Sequence, residues 1–322
     1  MTDIAPHITA FLRQRLGVER VASPHTCDTY AYAFQLLFEF ASHQLDIPPS
    51  GLQLEHLNAP LVLAFLEHLQ SARGNSPRTR NARLTAIKSF MHFVEYRVPS
   101  ALEQIKGVLA IPIQKTDLRV VNPLNAEQCK AILDAPDPTT RLGIRDRAML
   151  HLSLTGGLRV SELVGLRLDD VAFESRYLNL QVLGKGRKHR LLTLWKSVAE
   201  SMRAWLAVRG QAAVPELFLN ARGQAMTRAG FEHVLRKHAT AASEGCPSLQ
   251  GQRLSPHTLR HTCALDVLQA TSDIRKVALW LGHESIQTTE DYLRVDVMQR
   301  IEILDSVTPP QLRPANSGHP TS

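Results

Sequence analysis

Cysteine is scarce in this chain, long apolar runs are missing, and acidic residues are outnumbered. The 322 residues hold four cysteines, Cys27, Cys129, Cys246 and Cys263, far apart and without a C-x-x-C pair. That spacing offers neither a disulfide framework nor a thiolate zinc site, so free thiols in a reducing compartment are expected. The most apolar stretch, "PLVLAFL", falls far short of the roughly 20 residues that cross a bilayer. The start, "MTDIAPHITAFLRQRLG", has an acid at its third position and no apolar run of signal-peptide length. A soluble cytoplasmic protein without membrane contact is the expectation. Thirty acidic residues face 37 Lys and Arg, for a formal charge of +7 and a pI near 9.4. With 44% hydrophobic and 21% charged residues the composition is globular, and its basic bias suits a polyanionic partner.

The length exceeds a typical domain of about 100 to 200 residues, which points to two. Residues 5–105 read as helices: apolar positions recur at three- and four-residue steps in "TYAYAFQLLFEFASHQL", "APLVLAFLEHLQSA" and "SPRTRNARLTAIKSFMHFVEY". Thr9, Thr26 and Ser76 are read as helix starts. The third segment carries Arg73, Arg78, Arg80, Arg83 and Lys88 with no acid between Ser71 and Val94, and its apolar stripe is Leu84, Ile87, Phe90, Met91 and Val94. A solvated face would account for the charges, but their clustering favours phosphate contacts.

Helical periodicity is lost over residues 106–122, read as an extended linker, and a second domain follows over residues 123–308. There "LNAEQCKAILDA" starts a helix at Asn125, and "GIRDRAMLHLSLTGGLRVSELVGLRLDDV" reads as two helices broken at Gly156-Gly157, the second running from about Val160. "YLNLQVLGKGRKHRLLTL" alternates through Leu178, Leu180 and Val182, breaks at Gly184-Lys185-Gly186 and resumes through Leu192 and Leu194, which is a β-hairpin with lysine at its tip. Helices are expected at about 195–208, 227–242, 257–270, 273–281 and 286–304, before a tail, residues 309–322, of disordered composition.

Five stretches place polar groups where a core does not ask for them: "TGGLRVSEL" with Arg159, "LGKGRKHR" with Lys185, "SPHTLRHT" with His257 and Arg260, "LGHES" with His283, and "TTEDYLR" with Tyr292. A metal pair at His257 and His261 is disfavoured, because Thr258 stands where a zinc protease carries glutamate and Arg260 between the histidines would repel a cation. His261 is read instead as a packing or supporting residue. "GKG" lacks the spacing of a phosphate loop.

In order and spacing, R-V-S-E-L, H-x-L-R-H, L-G-H and T-T-x-x-Y resemble the tyrosine recombinase (phage integrase) family, over about residues 5–305. The resemblance implies a mainly α, two-domain clamp: an all-helical, SAM-like core-binding domain (residues 1–105), then a helical catalytic domain with a small antiparallel β-sheet. It makes Arg159 and Arg260 the catalytic arginines, His257 and His283 the histidines, Lys185 the hairpin lysine and Tyr292 the nucleophile. Arg187 and Lys188 join Arg73, Arg78, Arg80, Arg83 and Lys88 as expected DNA contacts. The departures are Thr271, where members often carry glycine, and the second glycine, Gly157. The implied partners are double-stranded DNA, further copies of the chain as a tetramer on two DNA sites, and a possible second recombinase or DNA-bending protein. No cofactor and no metal is implied, and the place of action is the nucleoid.

Physical chemistry supports those roles. A phosphodiester repels nucleophiles through its anionic oxygens, and guanidinium forks answer that charge permanently; in other phosphoryl transfers one such arginine is worth on the order of 10³ to 10⁵ in rate. A tyrosine of pKa about 10 is ionised to roughly one part in a thousand at neutral pH, a deficit of about 4 kcal/mol, so it needs a base such as His257. The leaving 5′-oxygen needs an acid, which Lys185 would supply, while His283 would hydrogen-bond a phosphate oxygen. A 3′-phosphotyrosyl link would conserve the bond energy without ATP. Integration, excision or transposition of a mobile element is the expected role. Xer-type dimer resolution, a type IB topoisomerase and a catalytically silent DNA-binding protein are the alternatives. Val297, Ile301 and Leu304 would dock on a neighbouring protomer or pack within their own chain.

Overall fold

The computed structural model describes residues 2–20, 22, 24–116, 122–184 and 189–282. The chain divides into two compact units, Met1–Arg119 and Val120–Ser322.

The first unit is helical. α1 (Ile4–Ala10) runs into a π-helical stretch, Phe11–Glu19, followed by α2 (Pro24–Leu45), α3 (Ala59–Ser71), α4 (Pro77–Val94) and α5 (Leu102–Leu109). Its core is built on rings: Phe11 meets Phe34, Phe90 and Phe93 at centroid distances of 6.0, 5.6 and 5.4 Å, tilted or edge-on as aromatic quadrupoles prefer. The α4 stripe of Leu84, Ile87, Phe90, Met91 and Val94 is fully buried against them. α4 starts at Ser76 as read from sequence, its hydroxyl accepting from Thr79 N–H. The other two starts lie earlier. α1 begins at Ile4, because Leu54 N–H bonds to Thr2 C=O and Thr2 N–H to Glu55, which pins the chain there. α2 begins at Pro24, whose fixed φ suits a first helical turn.

The linker expected over residues 106–122 is also corrected. α5 extends to Leu109 because Ile105 and Val108 are apolar on one face and fully buried. Beyond it the extended chain is fastened to α4: Arg80 Nη1 donates to Pro112 C=O (3.1 Å), Asn81 Nδ2 to Gln114 C=O (2.8 Å), and Gln114 N–H returns to Asn81 Oδ1 (3.0 Å). Arg80, only 5% exposed, therefore holds chain rather than facing solvent.

The second unit comprises α6 (Ala126–Asp134), α7 (Arg141–Gly156), α8 (Val160–Gly165), the strands β1 (Val171–Glu174), β2 (Tyr177–Leu183) and β3 (His189–Leu194), then α9 (Lys196–Arg209), α10 (Arg228–Gly245), α11 (Pro256–Thr271) and α12 (Ile274–Leu281). The strands form one antiparallel sheet in the order β1-β2-β3. The hairpin and the four helices from α9 to α12 match the sequence reading; the fifth expected helix, 286–304, lies outside the described residues. β1 corrects it. The helix read from about Val160 stops at Gly165, and Val171 and Phe173 pair with Leu180 and Leu178, where an extended chain adds a third strand. Leu178, Leu180, Val182, Leu192 and Leu194 cover the inner face, which packs on a core with Trp205, Phe218 and Phe231. A buried network ties α7 to α10: Asp146 accepts from Arg145 (2.6 Å) and sits 2.9 Å from His238 Nε2, while Arg145 donates to Leu219 C=O. No described helix is long and apolar enough to cross a membrane.

Two neighbouring arginines of α4 should behave differently. Arg80→Ala removes a buried side chain and its tether to the Pro112 carbonyl and should cost about 1–3 kcal/mol, read as a lower thermal midpoint, whereas exposed Arg78→Ala should stay within about 0.5 kcal/mol of wild type.

Candidate active site

The polar centre of the second unit is one carboxylate. Glu162, on α8, has a side chain that is 4% exposed and meets three arginines from three parts of the chain. Arg159 Nη1 donates to Oε1 at 2.8 Å, and the backbone N–H of the same residue donates to Oε2 at 2.9 Å, which closes the first turn of α8. Arg190, on β3, reaches both oxygens, Nη1 to Oε1 at 3.2 Å and Nη2 to Oε2 at 2.9 Å. Arg260, on α11, lies 3.9 Å from Oε2. Burial pushes the Glu162 carboxyl up, but the bonds from Arg190 and Arg159 outweigh it and hold it below the usual carboxylate range. Four charges sum to +2, a local excess that suits an anion.

Backbone geometry sets Arg260. α7 ends at Gly157 in the left-handed conformation (φ 57°), where a Cβ would lie 2.5 Å from Leu281 Cδ2 and 3.0 Å from Cys263 Sγ. The carbonyl of Gly157 accepts from Arg260 Nη1 and that of Leu281 accepts from Nη2 at 2.9 Å. The second glycine of "TGGLR", a departure by sequence, is thus the residue that lets α7 turn over α11 and α12. Arg260 is buried, while the Arg159 side chain keeps 36% exposure. His257 is exposed on the first turn of α11, one turn before Arg260. His261 is buried in the same helix. Cys263, one turn beyond Arg260, is no competing nucleophile: burial, then the charge of Asp266, push its thiol up to about 12.

The structure therefore brings Arg159 and Arg260 to one carboxylate and sets His257 on the same helix as the latter. Lys185, Arg187, Lys188, His283 and Tyr292 lie outside the described residues. The sequence reading missed Glu162 and Arg190 as parts of this centre. A signal for Arg190 was present: in the two-residue period of β3 it is in phase with buried Leu192 and Leu194, and it pairs with buried Val182. An arginine on an inward face demands an anion. Among the described residues no group of three or more His, Cys, Asp or Glu side chains is placed to hold a metal ion.

Comparison with known proteins follows the same lines. The phage integrase family profile matches residues 122–299, and that of the phage integrase N-terminal SAM-like domain matches residues 8–105. A Sinorhizobium fredii protein that carries the name integrase/recombinase y4rC is 42% identical over 307 residues, 95% of this chain and 92% of its own. The chain belongs to the phage integrase family. It is accordingly one of the tyrosine recombinases, enzymes of site-specific DNA recombination. Tyrosine recombinase XerC of Myxococcus xanthus is 33% identical over 96% of this chain and 99% of its own. Two solved structures share the fold at a TM-score of 0.69: the XerH recombinase on palindromic difH substrate, with 22% identity over 89% of this chain and 81% of that one, and the Tn1549 transposon integrase with transposon right-end DNA, with 15% identity over 95% and 100%.

The basic set expected to face DNA separates within this family fold. Arg73 and Arg78 are exposed and Lys88 is half-exposed. Arg83 leans on Tyr32, its guanidinium 5.0 Å from the ring centroid, and donates to Thr29 C=O. Arg80 is withdrawn from the set by its burial and its bond to Pro112.

Glu162 predicts an acid dependence. Because its folded pKa is depressed, it contributes stability above the ordinary carboxylate range and loses it as pH falls through the lower, folded value. Glu162→Gln should be the less stable protein near neutral pH, and the gap in urea midpoint should close on acidification to below about pH 4. A gap that widens with acid would show the carboxylate to be unfavourably held.

Proposed function

We propose that this enzyme cleaves and rejoins duplex DNA through a 3′-phosphotyrosyl intermediate on Tyr292, with Arg159, Arg260, His257, Lys185 and His283 as its supporting groups. The observation that carries the reading is the arginine pair, both guanidiniums within 3.9 Å of one buried carboxylate and held there by the protein's own contacts. Preorganised donors lose little on reaching the transition state, and buried ones act in a medium of low dielectric response. Arg260 supplies a buried, fixed cation, while Arg159, partly exposed, presents its fork to the phosphate.

The step balances without an external energy source. Tyr292 Oη forms the bond to phosphorus as its proton passes to His257, and the bond to the 5′-oxygen breaks as Lys185 protonates that oxygen. His283 hydrogen-bonds a phosphate oxygen. A 5′-hydroxyl of a second strand then reverses the sequence and forms the recombined strand. Exposed Arg73 and Arg78, with Arg83, Lys88, Arg187 and Lys188, supply backbone contacts that hold the duplex without reading its sequence. Self-association as a tetramer on two sites completes the exchange; a lambda integrase that shares the fold forms a tetramer bound to a Holliday junction. The role is transfer of a mobile element, supported by the 42% identical integrase/recombinase; the XerC relatives favour the alternative of dimer resolution.

The test uses end-labelled, nicked DNA from the flanks of the gene, with EDTA present, resolved on a denaturing gel. Wild type should give a protease-sensitive adduct, and Tyr292→Phe should give none while binding DNA within about threefold of wild type. Salt-sensitive binding without an adduct on any fragment, even with a candidate partner protein added, would sink the enzymatic reading in favour of a DNA-binding protein. Relaxation of supercoils by monomer without strand transfer would move it to a topoisomerase. Arg78→Ala should lower the salt slope of binding by about 1, the signature of one lost phosphate contact.

A further inference from the structure

We infer that Arg190 is a positioning residue for the arginine pair: it holds the Glu162 carboxylate so that Arg260 stays a hydrogen-bond donor to backbone rather than to that carboxylate. The inference rests on the reading of the site given above. Arg190 stands on the inward face of β3, its side chain 13% exposed, and its two terminal nitrogens occupy both oxygens of Glu162 at 3.2 and 2.9 Å. This fork sets the plane of the carboxylate. Arg159 then takes Oε1, while Arg260 is left 3.9 Å from Oε2, with hydrogen bonds to Gly157 and Leu281 carbonyls.

The same side chain fills the space beside the last turn of α12. Gly282 is left-handed (φ 63°), and a Cβ there would lie 2.7 Å from Arg190 Nη1 and 2.8 Å from its Cδ. β3, α8 and the end of α12 thus meet at one guanidinium.

Charge decides the consequence. With Arg190 present, three cations surround one anion, a local +2. Removing it lowers the excess to +1 and frees the carboxylate to turn onto Arg260, so the pair faces a phosphate with less charge in a displaced geometry. The loss should fall on the chemical step and should depend on the charge of the phosphate.

The experiment measures single-turnover adduct formation by full-length wild type, Arg190→Ala and Arg190→Lys on two nicked substrates. One carries an ordinary scissile phosphate, and the other a methylphosphonate, in which a neutral methyl replaces a charged oxygen. Arg190→Ala should slow the phosphate reaction by about 100-fold, as misplacement near 1 Å does, with DNA affinity little changed and Arg190→Lys between the two. On methylphosphonate most of that deficit should disappear. An equal deficit on both substrates would reduce Arg190 to a structural role, and a wild-type rate for Arg190→Ala would refute the inference outright. If Arg190→Ala does not fold, the same comparison with Arg190→Lys decides. A wild type that forms no Tyr292-dependent adduct would overturn the reading of the site, and the inference with it, whereas a normal wild type isolates the fault to Arg190.

Discussion

A carboxylate buried among three arginines is the constraint around which the second unit is arranged. Glu162 could not be sequestered alone: the desolvation of an isolated carboxylate is severe, and its depressed pKa records that the arginines more than reverse it. The converse holds as well. Arg260, 4% exposed, is a buried charge to which Glu162 and the Gly157 and Leu281 carbonyls each bring compensation. Each group is tolerable because the others are there, and they arrive from α8, β3, α11 and the ends of α7 and α12. This arginine–carboxylate cluster is therefore assembled only by the tertiary fold.

This arrangement couples stability to chemistry. Ion pairs in a core are weak evidence of stabilisation, since apolar residues of similar volume often do as well. Three arginines around one carboxylate are better understood as a charge excess held in place, which favours an anionic substrate. Gly157 serves the same end through sterics: a side chain there would strike Leu281 and Cys263, and the carbonyl that anchors Arg260 would move. Cys263, kept neutral by burial, fills space beside the pair without competing for the reaction.

In the first unit the same residue type performs two tasks. Arg80 spends its guanidinium on the chain beyond α5, and with Asn81 and Gln114 it fastens residues 112–114 to α4. Arg73 and Arg78 stay in water, where long-range attraction to a polyanion costs little. A helix that reads as uniformly basic thus divides into a buried strut and an exposed face.

Much of this was legible in the chain itself. Apolar periods of three to four residues placed α2, α3 and α4, alternation placed the β2 and β3 hairpin, and the serine and asparagine at positions 76 and 125 marked helix starts. These are local signals, and the R-V-S-E-L and H-x-L-R-H stretches carried the family in the same way. What the sequence left open was decided by packing. The continuation of α5 to Leu109, the third strand at Val171, the burial of Arg80 and the role of Arg190 each depend on which surface a residue meets. Local periodicity determines which way a side chain faces along its own element, but whether that face meets water, an apolar core or a carboxylate from 28 residues away is settled only when the elements pack together.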